Sequence, residues 1–82
     1  MHMKDTTQTR VKRTLWWYYK VLWQHGRQSR NIRRGFFYEQ VADKMACSTE
    51  TVRKHIYRAQ RNSQLVEEVS RNIDADSPED LF

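Results

Sequence analysis

The apolar positions of this chain recur every three or four residues and never alternate convincingly, which is the spacing of helices and not of strands. The strongest run, TRVKRTLWWYYKVLWQ from about Thr9 to Gln24, places Val11, Leu15, Tyr18 and Leu22 on one stripe. Trp16, Tyr19 and Trp23 form a second stripe about 100° round the same helix, and Trp17 can join either edge. Further on, Phe37, Val41 and Met45 repeat at a spacing of four, with Ala42 beside Val41. Val52, Ile56 and Ala59 make another stripe. Leu65, Val66, Val69 and Ile73 keep rough helical spacing, either continuing the preceding helix or forming a fourth one that ends near Asn72. With only two Gly and one Pro to interrupt it, the pattern predicts an all-α fold. Three to four helices would occupy residues 9–73.

The breaks between stripes are as informative. Gly26 can end the first helix, with His25 near its negative end. Residues 29–34 allow a short helix anchored by Ile32 alone. Ala46-Cys47-Ser48 is too short for anything but a sharp turn, and Ser48 or Thr49 can cap the helix that follows. A capped helix packed across a short helix is the helix-turn-helix arrangement, which holds its second helix out for the DNA major groove. Ala42 must stay small where the two helices cross.

The residues from Gly35 to Gln60 resemble the helix-turn-helix in the C-terminal promoter-reading domain of bacterial sigma factors. The matching positions are Gly35, Phe36, Tyr38, Glu39, Val41, Ala42, Thr51, Val52, Arg58 and Ala59. The quorum-sensing type of response regulator has a similar run, matched by Thr51, Val52, His55 and Ile56. The likeness covers about a third of the chain and implies a small bacterial or phage regulator. Two positions depart from it. Ala46 stands where a Gly is usual in the turn. The segment before Gly35 is longer and more basic than in a sigma domain, and no core-promoter module precedes it.

Charge sharpens the picture. Residues 1–61 hold 14 basic and 4 acidic side chains, whereas residues 62–82 hold 1 and 6. Arg10 to Arg34 contains eight basic residues and no acid. A loop bearing Arg27, Arg30, Arg33 and Arg34 ahead of the helix pair is well placed to grip phosphates, although a solvated loop would read the same way. Asp74 to Phe82, with four acids and Pro78, predicts a disordered acidic tail that serves solubility, competes with phosphate or docks on a partner. Residues 1–8 read as disordered or as a partial tag remnant, with Met3 the natural start. At 82 residues the chain buries only about 60% of its unfolded surface. A homodimer or another partner could supplement so thin a core.

Chemistry narrows the function further. His2, His25 and His55 are not arranged with Cys or carboxylates at metal-ligand spacing, and no glycine-rich phosphate loop occurs. The lone Cys47 has no evident base and suits a reducing cytoplasm. No run spans a membrane and no signal peptide is evident, so the expectation is a cytoplasmic protein with no cofactor, metal or enzymatic activity. The expected function is sequence-specific binding of double-stranded DNA in transcription regulation. Its recognition helix, about 49–61, would read bases with Thr49, Glu50, Arg53, Lys54 and Tyr57. Phosphates would fall to Ser48, Thr51, Arg58, Arg61, Arg27, Arg30, Arg33 and Arg34. Glu50 has a second reading, as a favourable charge at the helix start. One alternative is a phage regulator or antiterminator that binds RNA polymerase or a sigma factor through a Trp16, Tyr19 and Trp23 surface. Another is the DNA-recognition part of a phage packaging subunit.

Overall fold

The computed structural model describes residues 7–78, apart from the side chains of Thr7, Arg27 and Ser29. All regular structure among the described residues is helical. Helix α1 spans Thr7–His25, a 3₁₀ segment spans Gly26–Asn31, and α2, α3 and α4 span Arg34–Met45, Thr49–Gln60 and Ser63–Arg71. Helix α1 therefore begins two residues before the expected start at residue 9. The chain reverses after it at Gly26, whose φ of +56° lies in the left-handed region that glycine enters without steric cost. The short helix expected over residues 29–34 is displaced: the 3₁₀ segment ends at Asn31, Ile32 after it packs half-buried on the core, and Arg34 already begins α2.

Helix α1 is the centre of the molecule, packed against α2, α3 and α4. Its two apolar stripes meet different neighbours. Tyr18 meets Tyr38 of α2, with ring centroids 5.8 Å apart. Thr14, fully buried, lies 3.3 Å from His55 Nδ1 of α3. On the side facing the C-terminal part of the chain, Lys12 pairs with Glu68 of α4 at 3.2 Å, and Trp16 Nε1 donates to the Asn72 carbonyl at 2.9 Å. Val11, Leu15, Phe37, Val41, Val52, Ile56, Ala59, Leu65 and Val69 fill the core between the helices. Among these, Leu15, Val41, Val52, Ala59 and Val69 have no exposed surface.

Two expectations need correction. Trp16 does not lie on an outward surface: it is 0% exposed, because α4 and the turn after it cover that side of α1. Residues 74–78, expected to be disordered, fold back onto α1. The Lys20 ammonium donates to the carbonyls of Ile73 and Ala75, each at 3.0 Å, and Pro78 is buried. The rest of the expected tail, residues 79–82, and the expected disordered stretch 1–6 lie outside the described residues.

Candidate nucleic-acid interface

The α2–α3 connection is built from backbone and capping chemistry. Ala46 adopts φ 54°, ψ 47°, and the Cys47 amide bonds back to the Ala42 carbonyl at 3.1 Å, closing α2 with a left-handed residue as a Schellman turn does. Cys47 tucks half-buried against the core behind this turn, and burial pushes its thiol pKa up. Ser48 then starts α3: its Oγ accepts from the Thr51 amide at 3.1 Å and lies 2.9 Å from the Thr51 hydroxyl. Two helices are thus joined by a turn of three residues, 46–48.

Helix α3 divides cleanly by exposure. Val52, Ile56 and Ala59 are buried on one side. At about 100° per residue, Arg61, Lys54 and Glu50 point furthest from that side. Thr49, Arg53, Gln60 and Tyr57 flank them towards α2, while Arg58 and Thr51 flank them on the other edge. Thr49, Glu50, Arg53, Lys54 and Tyr57, the expected base readers, are all exposed, and Tyr57 is 67% exposed. The Arg61 guanidinium lies over the Tyr57 ring at 5.6 Å, so these two side chains stand together. Among the described residues no ion pair engages Arg53, Lys54 or Arg58, although Glu39 and Glu50 line a hollow with Arg53.

The expected phosphate ligands divide into three groups. Arg58 and Arg61 share the α3 face. Arg34, at the start of α2, lines one hollow of about 470 Å³ with Tyr38, Arg53, Lys54 and Tyr57, so the packing joins it to that face. Arg30 and Arg33 are exposed on the connection before α2, and no described contact brings them to α3. The side chain of Arg27 lies outside the described residues. Ser48 and Thr51 are on the same face, but Ser48 Oγ is occupied as a cap and the Thr51 hydroxyl faces it.

Of the expected partner surface, Trp23 remains 61% exposed with the Lys20 ammonium 4.9 Å above its ring. Tyr19 is half-buried beside Tyr18, with ring centroids 6.0 Å apart, and Trp16 is enclosed. His25 is not free at the end of α1: its ring meets Phe36 and Phe37 edge-on at 5.4 and 5.5 Å.

Sequence reading missed a second basic edge. Arg10 and Arg13 of α1, Lys44 of α2 and His55 of α3 border an open hollow of about 390 Å³ beneath Trp17 and Thr51. Lys44 sits over the Trp17 ring at 5.2 Å. Burial, followed by the nearby charges of Arg58 and Arg10, pushes the His55 pKa down. Nothing in the local sequence signals this cluster, because its members come from three helices.

No helix among the described residues is long and apolar enough to cross a membrane. No family model, curated protein or solved structure matches this chain.

Proposed function

We propose that this chain is a sequence-specific double-stranded DNA-binding regulator in which α2, the 46–48 turn and α3 work as a helix-turn-helix. One observation carries the reading: an α3 face that is exposed, basic, not neutralised by ion pairs and continued by Arg34. A helix fixed by a buried stripe and a side-chain cap presents that face as a rigid unit, which groove insertion requires. Arg53 is the candidate for a bidentate contact to guanine, and Lys54 and Tyr57 complete the reading edge. Arg58, Arg61 and Arg34 supply phosphate contacts and with them the salt-dependent part of the affinity. In this reading the chain binds and does not catalyse.

Docking on RNA polymerase or a sigma factor is the weaker reading. With Trp16 enclosed, the surface offered for it is reduced to Trp23 and the edge of Tyr19. The packaging-subunit reading has no observation in its favour.

The test is fluorescence anisotropy of the purified protein with random-sequence duplex DNA across a salt series. The expected log–log slope is about −0.9 for each phosphate neutralised, summing to several units. After a preferred site has been selected, Arg53→Ala should lose about 1–3 kcal/mol of discrimination at one base pair. Lack of binding at low salt would reject the reading.

A further inference from the structure

The hollow on the far edge of α3 has the composition of an anion site. Arg10 and Arg13 approach from α1 and Lys44 from the last turn of α2, while Thr51 and His55 form its α3 wall. Lys54 and Arg58 border the adjoining groove, which shares Thr51 and His55 with the hollow. Among the described residues no carboxylate lines either one. The described charged groups that line these two hollows with His55, from all three helices, are cationic. Such a cluster repels itself when empty, and an entering anion relieves the repulsion.

The hydrogen bonds around His55 define where its proton would go. Thr14 Oγ1 donates to the Arg10 carbonyl at 2.7 Å, so it offers only lone pairs to His55 Nδ1, 3.3 Å away. Neutral His55 then carries its hydrogen on Nδ1 and keeps the Nε2 lone pair open. A proton arriving from solvent adds to Nε2 without breaking the bond to Thr14.

We propose that this hollow binds a phosphate of the DNA backbone, and that His55 takes up a proton as the phosphate enters. The proposal rests on the DNA-binding reading and extends it. Phosphates would be held at both edges of α3, by Arg34 on one side and by Arg10, Lys44 and protonated His55 on the other. Binding through this site is tighter at low pH, because the empty site disfavours the imidazolium and the occupied site favours it.

The experiment follows the His55 ring resonances by NMR as pH is varied, for the full chain alone, with a short duplex and with inorganic phosphate at constant ionic strength. The variant His55→Asn identifies the signal, and its amide can replace the donor to Thr14. Duplex DNA should raise the titration midpoint of His55. Affinity should rise by up to about tenfold per pH unit as pH falls through that midpoint. In His55→Asn this component should be lost, whereas in Arg10→Gln, an exposed position, the salt slope should fall by about 0.9.

The outcomes separate the two readings. If DNA binds with a steep salt slope but the His55 midpoint does not move and Arg10→Gln keeps the full slope, the clamp is overturned and the DNA reading stands. If DNA fails to bind while inorganic phosphate raises the midpoint, the hollow is a site for free phosphate, and the backbone proposal and the DNA reading both fall. If neither ligand moves the midpoint and DNA does not bind, both are rejected together.

Discussion

Ala46 holds a backbone conformation that its own methyl group disfavours, at φ 54° and ψ 47°. A left-handed L-residue costs about 1–2 kcal/mol relative to glycine, and the greater freedom of glycine in the unfolded chain returns about 0.4–1 kcal/mol of that. Ala46→Gly should therefore stabilise the protein by somewhat under about 1 kcal/mol and raise the melting midpoint by a few degrees. An unchanged or lower midpoint in calorimetry would contradict the strained turn. The sequence marked this position by its missing glycine, but only the backbone angles revealed that the turn keeps its left-handed form with alanine. His55 supplies a second test at this scale. Its pKa is lowered in the folded chain, by burial first and by Arg58 and Arg10 after it. Stability from this group is full above the ordinary histidine value of about 6.5 and is lost as pH falls below it, because the unfolded chain then binds a proton that the folded chain refuses. Urea unfolding at pH 7.5, 6.5 and 5.5 should show the decline in wild type and a shallower one in His55→Asn. Identical pH profiles would rule out this contribution.

At the scale of elements, side-chain caps decide where the helices begin. Ser48 starts α3, and Asn62 starts α4 by accepting the Leu65 amide at 3.2 Å. Ser48→Ala should cost about 1 kcal/mol, because it leaves a first-turn amide without its partner. If urea midpoints for wild type and Ser48→Ala coincide, the cap contributes nothing. Asn62 also explains why α3 and α4 are two helices, a choice that apolar spacing left open. The stripe runs on from Ala59 to Leu65 and Val69, and periodicity cannot see a change of direction at a polar residue. A cap at Ser48 or Thr49 was legible because both precede the apolar stripe that opens at Val52, and the structure chose Ser48. The exposed face of α3 was legible for the same reason: once Val52, Ile56 and Ala59 are placed inside, Arg53, Lys54 and Tyr57 have nowhere to go but out.

For the molecule as a whole, the decisive feature is that α1 is wrapped on both sides. A single helix pair could not have covered two apolar stripes, and α4 with the turn after it encloses Trp16 of the second one, leaving Trp23 exposed. Lys20 fastens that cover. It is only 9% exposed and gives two hydrogen bonds to the Ile73 and Ala75 carbonyls. Lys20→Met should keep the stem packing but leave both carbonyls without their donor. A loss of about 1–3 kcal/mol is expected, with faster amide hydrogen exchange across residues 72–78. Unchanged exchange there would show that the cover holds without Lys20. Proteolysis should also separate wild type from Lys20→Met, with cleavage after the end of α4 rising first in the variant.

The sequence by itself determined the helical class, the extents of the first three α-helices to within a few residues, the 46–48 turn and the outward face of α3. Each of these follows from local chemistry: a period, a cap, a glycine or a short polar gap. Tertiary packing alone decided that Trp16 lies inside, that residues 74–78 join the fold and that Arg34 lines one hollow with Arg53. It also brought Arg10, Lys44 and His55 to one hollow. Those outcomes depend on which helix covers which side of α1, and the spacing of residues along one helix carries no record of its neighbours. A tryptophan at helical spacing looks the same whether solvent or α4 faces it, and an acidic stretch looks disordered until a buried lysine donates to its backbone.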